Sequence, residues 1–363
     1  MLHKIIIVVL YVFLSIFNSC SDNTIEIKPV KDPRTYTWTA DTLGYPNSFQ
    51  TLMYDMWGSS PKDVYAVGHN SQNSGLMWHF DGYKWTSVKL ITSEGGQIDG
   101  AIDLKSIYGL SATDIYAVGS RILGYNPNPP PTFESSQLII HYDGSAWREV
   151  NVDRGDRLVN IYGNSPSDIW SGGLKNTLYH YNGSRWIKDS VNISIPEGFD
   201  FQIGHFSSHN STVYLGANSN NNKGTSIYYL FKRTNNTWET IDSFYEGNTV
   251  ENFGPVLNQS KIKSFYSSGN WGVYKYNGTS WDNILRTTNS YITGIWGSGD
   301  ENLFAVGNRG TVYHYNGTDW KRIEELNDPQ IDYWAVWTDG TEAFVAGSIF
   351  ADGLQKTIVW HGK

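Results

Sequence analysis

The sequence of 363 residues contains 36 Gly and 15 Trp, and 15% of its residues are aromatic. Only 17% are charged, and the formal net charge is −8. An acidic chain without a cluster of lysine and arginine repels phosphate backbones, so nucleic acid is excluded as an expected partner.

A secretory signal is predicted over residues 1–19. A basic residue precedes an apolar run over residues 5–17, which is too short to span a membrane comfortably. Residues 17–20 resemble the lipobox of bacterial lipoproteins, whose cysteine becomes the lipidated first residue of the mature protein. Cys20 is the only cysteine, so an intrachain disulfide is excluded. The expected organisation is a signal peptide, a lipidated Cys20 and a polar tether that ends at residue 35, with plain signal cleavage as the alternative.

A block of about 40 residues recurs along the rest of the chain, which indicates a repeat architecture. The clearest copies are residues 57–68 (WGSSPKDVYAVG) with 79–85 (HFDGYKW), and residues 296–307 with 314–320. Each copy predicts four short segments: one that ends in an aromatic-Gly pair, a β-branched run, an aromatic and polar run, and one that opens with Trp. Asp-Gly or Asn-Gly separates the last two, which should form a hairpin. Four strands per repeat predict a propeller blade.

The repeat occurs seven times, so the sequence predicts an all-β fold, a seven-bladed β-propeller over residues 36–363. The fourth copy is degenerate, and the fifth hides its first strand around residues 250–256. The seventh copy stops at Lys363 before its last strand. The N-terminal sequence YTWT matches the missing strand. We therefore expect residues 36–41 to pair with residues 356–361 and to close the ring, which removes an open sheet edge.

The phrase in residues 57–68, followed by the HYDG turn and Trp of residues 141–147, resembles the repeats of secreted bacterial propeller proteins and lipoproteins. It is similar, more distantly, to Asp-box propellers and to propellers of the photosystem II assembly-factor type. The resemblance covers residues 36–362 and implies the propeller fold. In an Asp box one residue separates Asp from Gly, whereas Asp143 and Gly144 are adjacent. The likeness is therefore to the architecture and not to a sialidase.

Histidines recur at one position of the repeat, just before the turn between the third and fourth segments. They are His79, His141, His180 and His314. Each belongs to a different copy, whereas the ligands of one zinc ion lie within about 2 Å of the metal. We therefore interpret them as part of the repeat unit. Asp63, Asp114 and Asp168 recur in the same way and are expected to shape turns by bonding nearby backbone. No metal and no cofactor are predicted.

No catalytic residue is predicted either, because the sequence contains no nucleophile elbow, phosphate-binding loop or HExxH zinc motif. A sialidase-like hydrolase would need an arginine cluster at the mouth of the ring, with a Tyr nucleophile and acids nearby. The candidates for this alternative are Arg121, Arg154, Arg157 and Arg309, which fall in predicted loops on one face.

Predicted loop length differs between the two faces of the ring. Turns between first and second strands, and between third and fourth strands, are short. Loops between second and third strands and between copies vary, the longest over residues 120–137. Both kinds of variable loop emerge on one face, which is the arrangement expected of a binding surface. The alternative is that these loops are surface insertions that the fold tolerates. The candidate binding residues are Arg121, Tyr125, Phe133, Tyr245 and Phe350, because exposed aromatic residues and arginine are common interface anchors.

The sequence as a whole predicts a non-catalytic binding or assembly module, exported as a bacterial lipoprotein to the outer membrane or cell surface. The lipid anchor would contact the membrane, and the long loops would bind a protein or a glycan. The alternative is a carbohydrate-active, sialidase-like hydrolase that uses the mouth of the ring. A third reading is an assembly factor for an outer-membrane or extracellular complex.

Overall fold

The computed structural model describes residues 31–72, 75–98, 100–126, 132–246 and 253–363. Cys20 and the predicted signal peptide lie outside the described residues. Within these ranges nearly all regular structure is β-strand, as the β-branched and aromatic repeat predicts.

The strands and two short 3-10 helices follow one another in a regular order along the chain. They are η1 (Pro33–Thr35), β1 (Trp38–Leu43), β2 (Thr51–Ser60), β3 (Asp63–Asn70), β4 (Met77–Phe80), β5 (Trp85–Ser87), β6 (Leu90–Ile91), β7 (Ala101–Ser111), β8 (Asp114–Asn126), β9 (Thr132–Tyr142), β10 (Trp147–Glu149), β11 (Leu158–Ser165), β12 (Asp168–Gly173), β13 (Leu178–Tyr181), β14 (Trp186–Asp189), β15 (Phe199–His209), β16 (Thr212–Asn221), β17 (Ser226–Thr234), β18 (Thr237–Tyr245), β19 (Val256–Leu257), β20 (Tyr266–Gly269), β21 (Gly272–Tyr276), β22 (Trp281–Arg286), β23 (Ile292–Gly299), β24 (Asn302–Gly307), β25 (Thr311–Tyr315), β26 (Trp320–Arg322), η2 (Glu324–Leu326), β27 (Ile331–Thr338), β28 (Ala343–Ala351) and β29 (Leu354–Gly362).

The β-propeller fold is confirmed, but the prediction of seven blades is wrong, since the structure has five separate four-stranded blades. Four of them are runs of consecutive strands, β11–β14, β15–β18, β19–β22 and β23–β26, and the fifth has the order β1-β29-β28-β27. The strands expected to form the first two blades belong to one nine-stranded sheet, β2 to β10. β3 and β7 meet there through the pair His69 and Asp103. This contact depends on how far β3 and β7 extend beyond the repeat motif, so the motif alone does not predict it.

The predicted pairing of the two chain ends is confirmed, but the closing strand covers residues 38–43 and not the expected residues 36–41. β1 runs antiparallel to β29 as the outer strand of its blade, with Trp38 opposite Gly362 and Leu43 opposite Thr357. The backbones of Thr37 and Lys363 also exchange hydrogen bonds of 3.0 and 3.3 Å. The two ends of the chain are thus held in one sheet, and β29 has no open edge along this pairing.

The predicted hairpins between third and fourth segments are also present. In the turn from β4 to β5, Asp81 Oδ1 accepts hydrogen bonds of 2.9 Å from the backbone N–H groups of Tyr83 and Lys84. Gly82, which lies between Asp81 and Tyr83, has φ +92°, a conformation that glycine adopts without strain. The same side-chain bond to the backbone occurs at Asp143, Asn182, Asn277 and Asn316.

The aromatic-Gly pair of the repeat packs one inner strand against the next. A Cβ atom added at Gly109 would lie within 2.5 Å of the ring of Trp57, and one added at Gly163 would lie 3.3 Å from the ring of Tyr108. Only glycine lets the ring of the preceding inner strand lie on the backbone in this way. Buried aromatic and aliphatic side chains between the sheets form the core.

Candidate functional site

The two faces of the propeller differ as predicted, but the expected loop over residues 120–137 is wrong, because most of it belongs to β8 and β9. Turns such as those after β2, β7 and β11, together with the Asp-Gly and Asn-Gly turns, lie on one face, which we call the short-turn face. The hairpins β8–β9, β16–β17 and β28–β29 and the connections between sheets lie on the other, which we call the long-loop face. This division follows because each of these hairpins joins two antiparallel strands.

The five predicted binding residues lie at the long-loop ends of strands in three different sheets. Tyr125 and Phe133 are cross-strand partners near the tip of the β8–β9 hairpin. Arg121 is in the same hairpin, but its guanidinium forms an ion pair of 2.7 Å with Glu149 and is only 20% exposed. Its guanidinium is therefore already engaged within its own sheet.

The other two predicted residues are exposed and belong to other sheets. Tyr245 at the end of β18 is 52% exposed, and Phe350 in β28 is 69% exposed. The structure therefore groups Arg121, Tyr125 and Phe133 in one hairpin and leaves Tyr245 and Phe350 on separate blades.

An exposed phenylalanine that the sequence analysis missed lies beside Phe350. Phe49 is 64% exposed, and its carbonyl accepts a hydrogen bond of 2.9 Å from the backbone N–H of Gln355. Gln355 is the cross-strand partner of Phe350, so the two phenylalanines flank the same strand, β29. Phe49 lies between β1 and β2, outside the repeat motif, and no repeat-based signal could have selected it.

A central channel runs between the seven innermost strands, β2, β7, β11, β15, β19, β23 and β27, and it encloses a cavity of about 100 Å³. Six of these strands carry a β-bulge at the same position, each with one extra residue. The extra residues are Tyr54, Lys105, Val159, Gly204, Thr293 and Trp334. Five of them line the cavity. A bulge re-aims side chains within a strand, which accounts for this repeated lining.

At three of the six bulges, the side chain of the next residue binds the neighbouring inner strand. Asp55 Oδ2 accepts a hydrogen bond of 2.9 Å from the backbone N–H of Ile107, and Ser106 Oγ accepts one of 3.3 Å from Ile161. Asn160 Oδ1 accepts one of 3.2 Å from Phe206. These contacts satisfy backbone groups near the bulges and tie successive inner strands together.

The loop after β19 closes the channel on the short-turn side. Gln259 Nε2 donates hydrogen bonds of 2.9 Å both to Asn160 Oδ1 and to the carbonyl of Ile161. Tyr108 donates to the Gln259 carbonyl at 3.4 Å. The indole of Trp296 packs against three of the core clusters and also lines the cavity. The cavity is therefore approached from the long-loop face.

Asp55 and His205 in the channel have perturbed pKa values because they are buried. Burial raises the pKa of Asp55 from 3.8 to about 6, although hydrogen bonds from Ile107, Ser106 and Met56 act in the opposite direction. Burial lowers the pKa of His205 to about 4, so the imidazole is neutral at pH 7. Lys105 Nζ lies 2.8 Å from Asp103 Oδ2 and 3.9 Å from the ring centroid of Tyr54.

The repeat histidines each bind an acidic or amide group in their own sheet. His79 Nε2 lies 2.7 Å from Asp63 Oδ1, and the rings of His79 and Tyr65 stack at 4.3 Å. Equivalent pairs are Asp114 with His141, Asp168 with His180, and Asn302 with His314. Burial acts to raise the pKa of Asp63, but the hydrogen bonds from His79 and Ser59 outweigh it and lower the pKa.

Two sequence interpretations are affected by these pairs. The expectation that these aspartates bond nearby backbone is wrong, because the main partner is the histidine ring of a neighbouring strand. The histidines do belong to the repeat unit. Among the described residues, no group of three or more potential metal ligands comes together.

The arginines considered for a hydrolase do not form a cluster in the channel. Arg121 pairs with Glu149, and Arg154 pairs with Glu134 on the same hairpin. Arg157 lines a separate cavity of about 410 Å³ on the long-loop face. No arginine is among the described residues that line the channel. The geometry thus lacks the arginine cluster that a sialidase-like mechanism requires.

Comparison with known proteins shows the fold. No family model matches the chain, and no curated protein matches its sequence. The solved structure of YCF48 bound to D1 peptide is 13% identical with a TM-score of 0.54, and the match covers 91% of this chain and 95% of that one. YCF48 from Cyanidioschyzon merolae is 13% identical with a TM-score of 0.53, and the match covers 88% and 98%.

A third solved structure is the extracellular domain of BT4673 from B. thetaiotaomicron. It is 13% identical with a TM-score of 0.57, and the match covers 88% of this chain but only 39% of that chain. The predicted distant similarity to other propellers is therefore confirmed for the fold. Over the described part of the chain, no helix has the length and apolar character needed to cross a membrane.

Proposed function

We propose that this chain is a non-catalytic binding or assembly module that binds a protein partner on its long-loop face. The distribution of exposed large apolar side chains carries the proposal. Five of the exposed large apolar residues that the structure describes lie on the long-loop face: Phe49, Ile122, Tyr245, Trp271 and Phe350. Trp334 lies in the channel wall. Tyr83 lies on the short-turn face, and Ile187 and Ile241 lie in outer strands. Exposed aromatic side chains concentrated on one face are typical of protein interfaces.

Phe49 and Phe350 form the strongest part of this surface. They are 64% and 69% exposed. Phe49 also lines a cavity of about 530 Å³, together with Pro46 and Leu354. Aromatic side chains are enriched in protein interfaces, and we propose a protein and not a glycan as the partner. An apolar side chain of a partner would bury these rings and fill the cavity.

The first described residues of the chain contact the short-turn face of the propeller. Lys31 Nζ donates to the carbonyl of Lys363 at 3.0 Å, and Arg34 forms an ion pair of 3.0 Å with Asp319. Asp319 lies in the β25–β26 turn, on the short-turn face. A lipid at Cys20, as the sequence predicts, would attach the protein to the outer membrane or cell surface.

Two of the comparisons are compatible with this proposal. One similar structure is of a propeller bound to a peptide, and another is an extracellular domain. No described feature favours the sialidase-like hydrolase, because the candidate arginines pair with glutamates or lie outside the channel.

Site-specific photocrosslinking in the native host tests the proposal. A photoreactive residue at Phe350 should yield a covalent adduct with one partner protein. The matched control is Tyr83, which is 89% exposed on the opposite face and should yield none. Adducts of equal yield from both positions, or none from Phe350, would contradict the assignment.

A further inference from the structure

The channel contains a carboxylate that forms no ion pair with any described residue. Asp55 lines the cavity, and no lysine or arginine among the described residues lies within ion-pair distance of it. Its oxygens accept three hydrogen bonds, from the backbone of Met56 and Ile107 and from Ser106 Oγ. A carboxylate has about four acceptor positions, so one remains for a further donor. Carboxylates removed from water are normally paired with a cation.

Among the described residues, the lysine that lines the cavity is Lys105, and its ammonium group is engaged elsewhere. Lys105 Nζ pairs with Asp103 at 2.8 Å and lies over the ring of Tyr54 at 3.9 Å. The mouth of the channel thus already combines an ammonium group, an aromatic ring and a carboxylate. Trp334 and Asp55, which also line the cavity, provide a second combination of an aromatic ring and a carboxylate.

Trp334 and His205 fit a cationic group as well. Trp334 lines the cavity, is 37% exposed and donates through its indole N–H to Ser348 Oγ at 3.1 Å, which orients the ring. The imidazole of His205 forms no hydrogen bond with any described residue, although its backbone belongs to β15. Because burial lowers its pKa to about 4, it adds no positive charge at pH 7 and keeps an acceptor nitrogen for an N–H donor.

Cavity size and long-range charge limit the ligand further. A volume of about 100 Å³, closed at one end by Gln259 and Trp296, admits the head group of one side chain and not a folded segment. The net charge of −8 attracts basic partners. The described residues bring together no set of three metal ligands, which favours an organic cation over a metal ion.

We propose that the channel, approached from the long-loop face, binds the guanidinium or ammonium head group of a single basic side chain of the partner. Asp55 accepts a charge-assisted hydrogen bond from this group, and Trp334 provides a cation–π contact. This inference rests on the proposed function, because it names the chemistry that the partner presents at the centre of the long-loop face.

A titration with small peptides tests it on the purified protein. The probe is a five-residue peptide, blocked at both ends, with one central arginine, and the matched ligand has citrulline, which keeps the shape and loses the charge. Ligand-observed NMR should show saturable binding of the arginine peptide alone. Asp55→Asn should weaken binding about tenfold or more, because a hydrogen bond to a charged group is lost. Trp334→Ala should weaken it about threefold to tenfold.

The matched control variant is Trp271→Ala, which removes a tryptophan of similar exposure (39%) that does not line the channel and should leave binding unchanged. If Asp55→Asn fails to fold, Trp334→Ala decides the outcome. Equal binding of the citrulline peptide, no saturable binding of the arginine peptide, or an equal loss in Trp271→Ala would overturn the inference. If this inference fails but Phe350 still crosslinks to a partner protein, the proposed function on the long-loop face is retained and only the binding of a basic side chain in the channel is rejected.

Discussion

Gly109→Ala tests how the inner strands pack. The added Cβ would lie within 2.5 Å of three ring atoms of Trp57, which is only 7% exposed and packed in the core. Since the indole has no room to move, the strands must separate slightly, and overpacking of this kind costs about 1–3 kcal/mol. For a domain of about 330 residues, with an unfolding entropy of about 0.7 kcal/mol/K, the melting temperature should fall by about 1.5–4 °C.

Calorimetry and urea denaturation measure this effect. The control is Gly44→Ala, where no atom lies within 4 Å of the added Cβ. That variant should be as stable as the wild type or more stable by about 0.4–1 kcal/mol, because alanine reduces the entropy of the unfolded chain. Trp57→Leu in the Gly109→Ala background should restore part of the loss relative to additivity. Wild-type stability of Gly109→Ala would refute the packing argument.

Three further predictions concern the repeat, the channel and the anchor. His141→Ala and Asp114→Ala should each destabilise the protein, and a double-mutant cycle should give a coupling energy of about 1 kcal/mol or more, whereas additive losses would show that the 2.8 Å contact contributes nothing. Because the pKa of Asp55 is raised to about 6 in the folded state, its stabilising contribution is complete below about pH 4 and is lost as the pH rises through 6. Urea denaturation should therefore show the wild type losing stability relative to Asp55→Asn across this range, and a constant difference would count against the shift. Cys20→Ala should abolish metabolic labelling with palmitate, and labelling that persists would exclude lipidation at this residue.

Local sequence patterns predicted the strands, the turns and the closure of the chain. Alternating β-branched and aromatic residues define strands, and an Asp-Gly or Asn-Gly pair has few conformations other than a tight turn, so both follow from neighbouring residues alone. The spare strand at the N-terminus was also evident, because it matches the segment that the last repeat lacks. β1 pairs with β29 for this reason.

Contacts between distant residues were decided by the tertiary structure. The merging of two expected blades depends on how far β3 and β7 extend towards each other at His69 and Asp103, which the repeat motif does not specify. Arg121 and Glu149 belong to different strands, so the sequence could identify the arginine but could not predict that its guanidinium forms an ion pair. Asp55 shows the same limit, since a carboxylate in an inner strand acquires its buried position and raised pKa only when seven strands surround one channel. Sequence periodicity encodes contacts within a repeat, whereas the channel is formed by residues that are far apart in the chain and meet only when the ring closes.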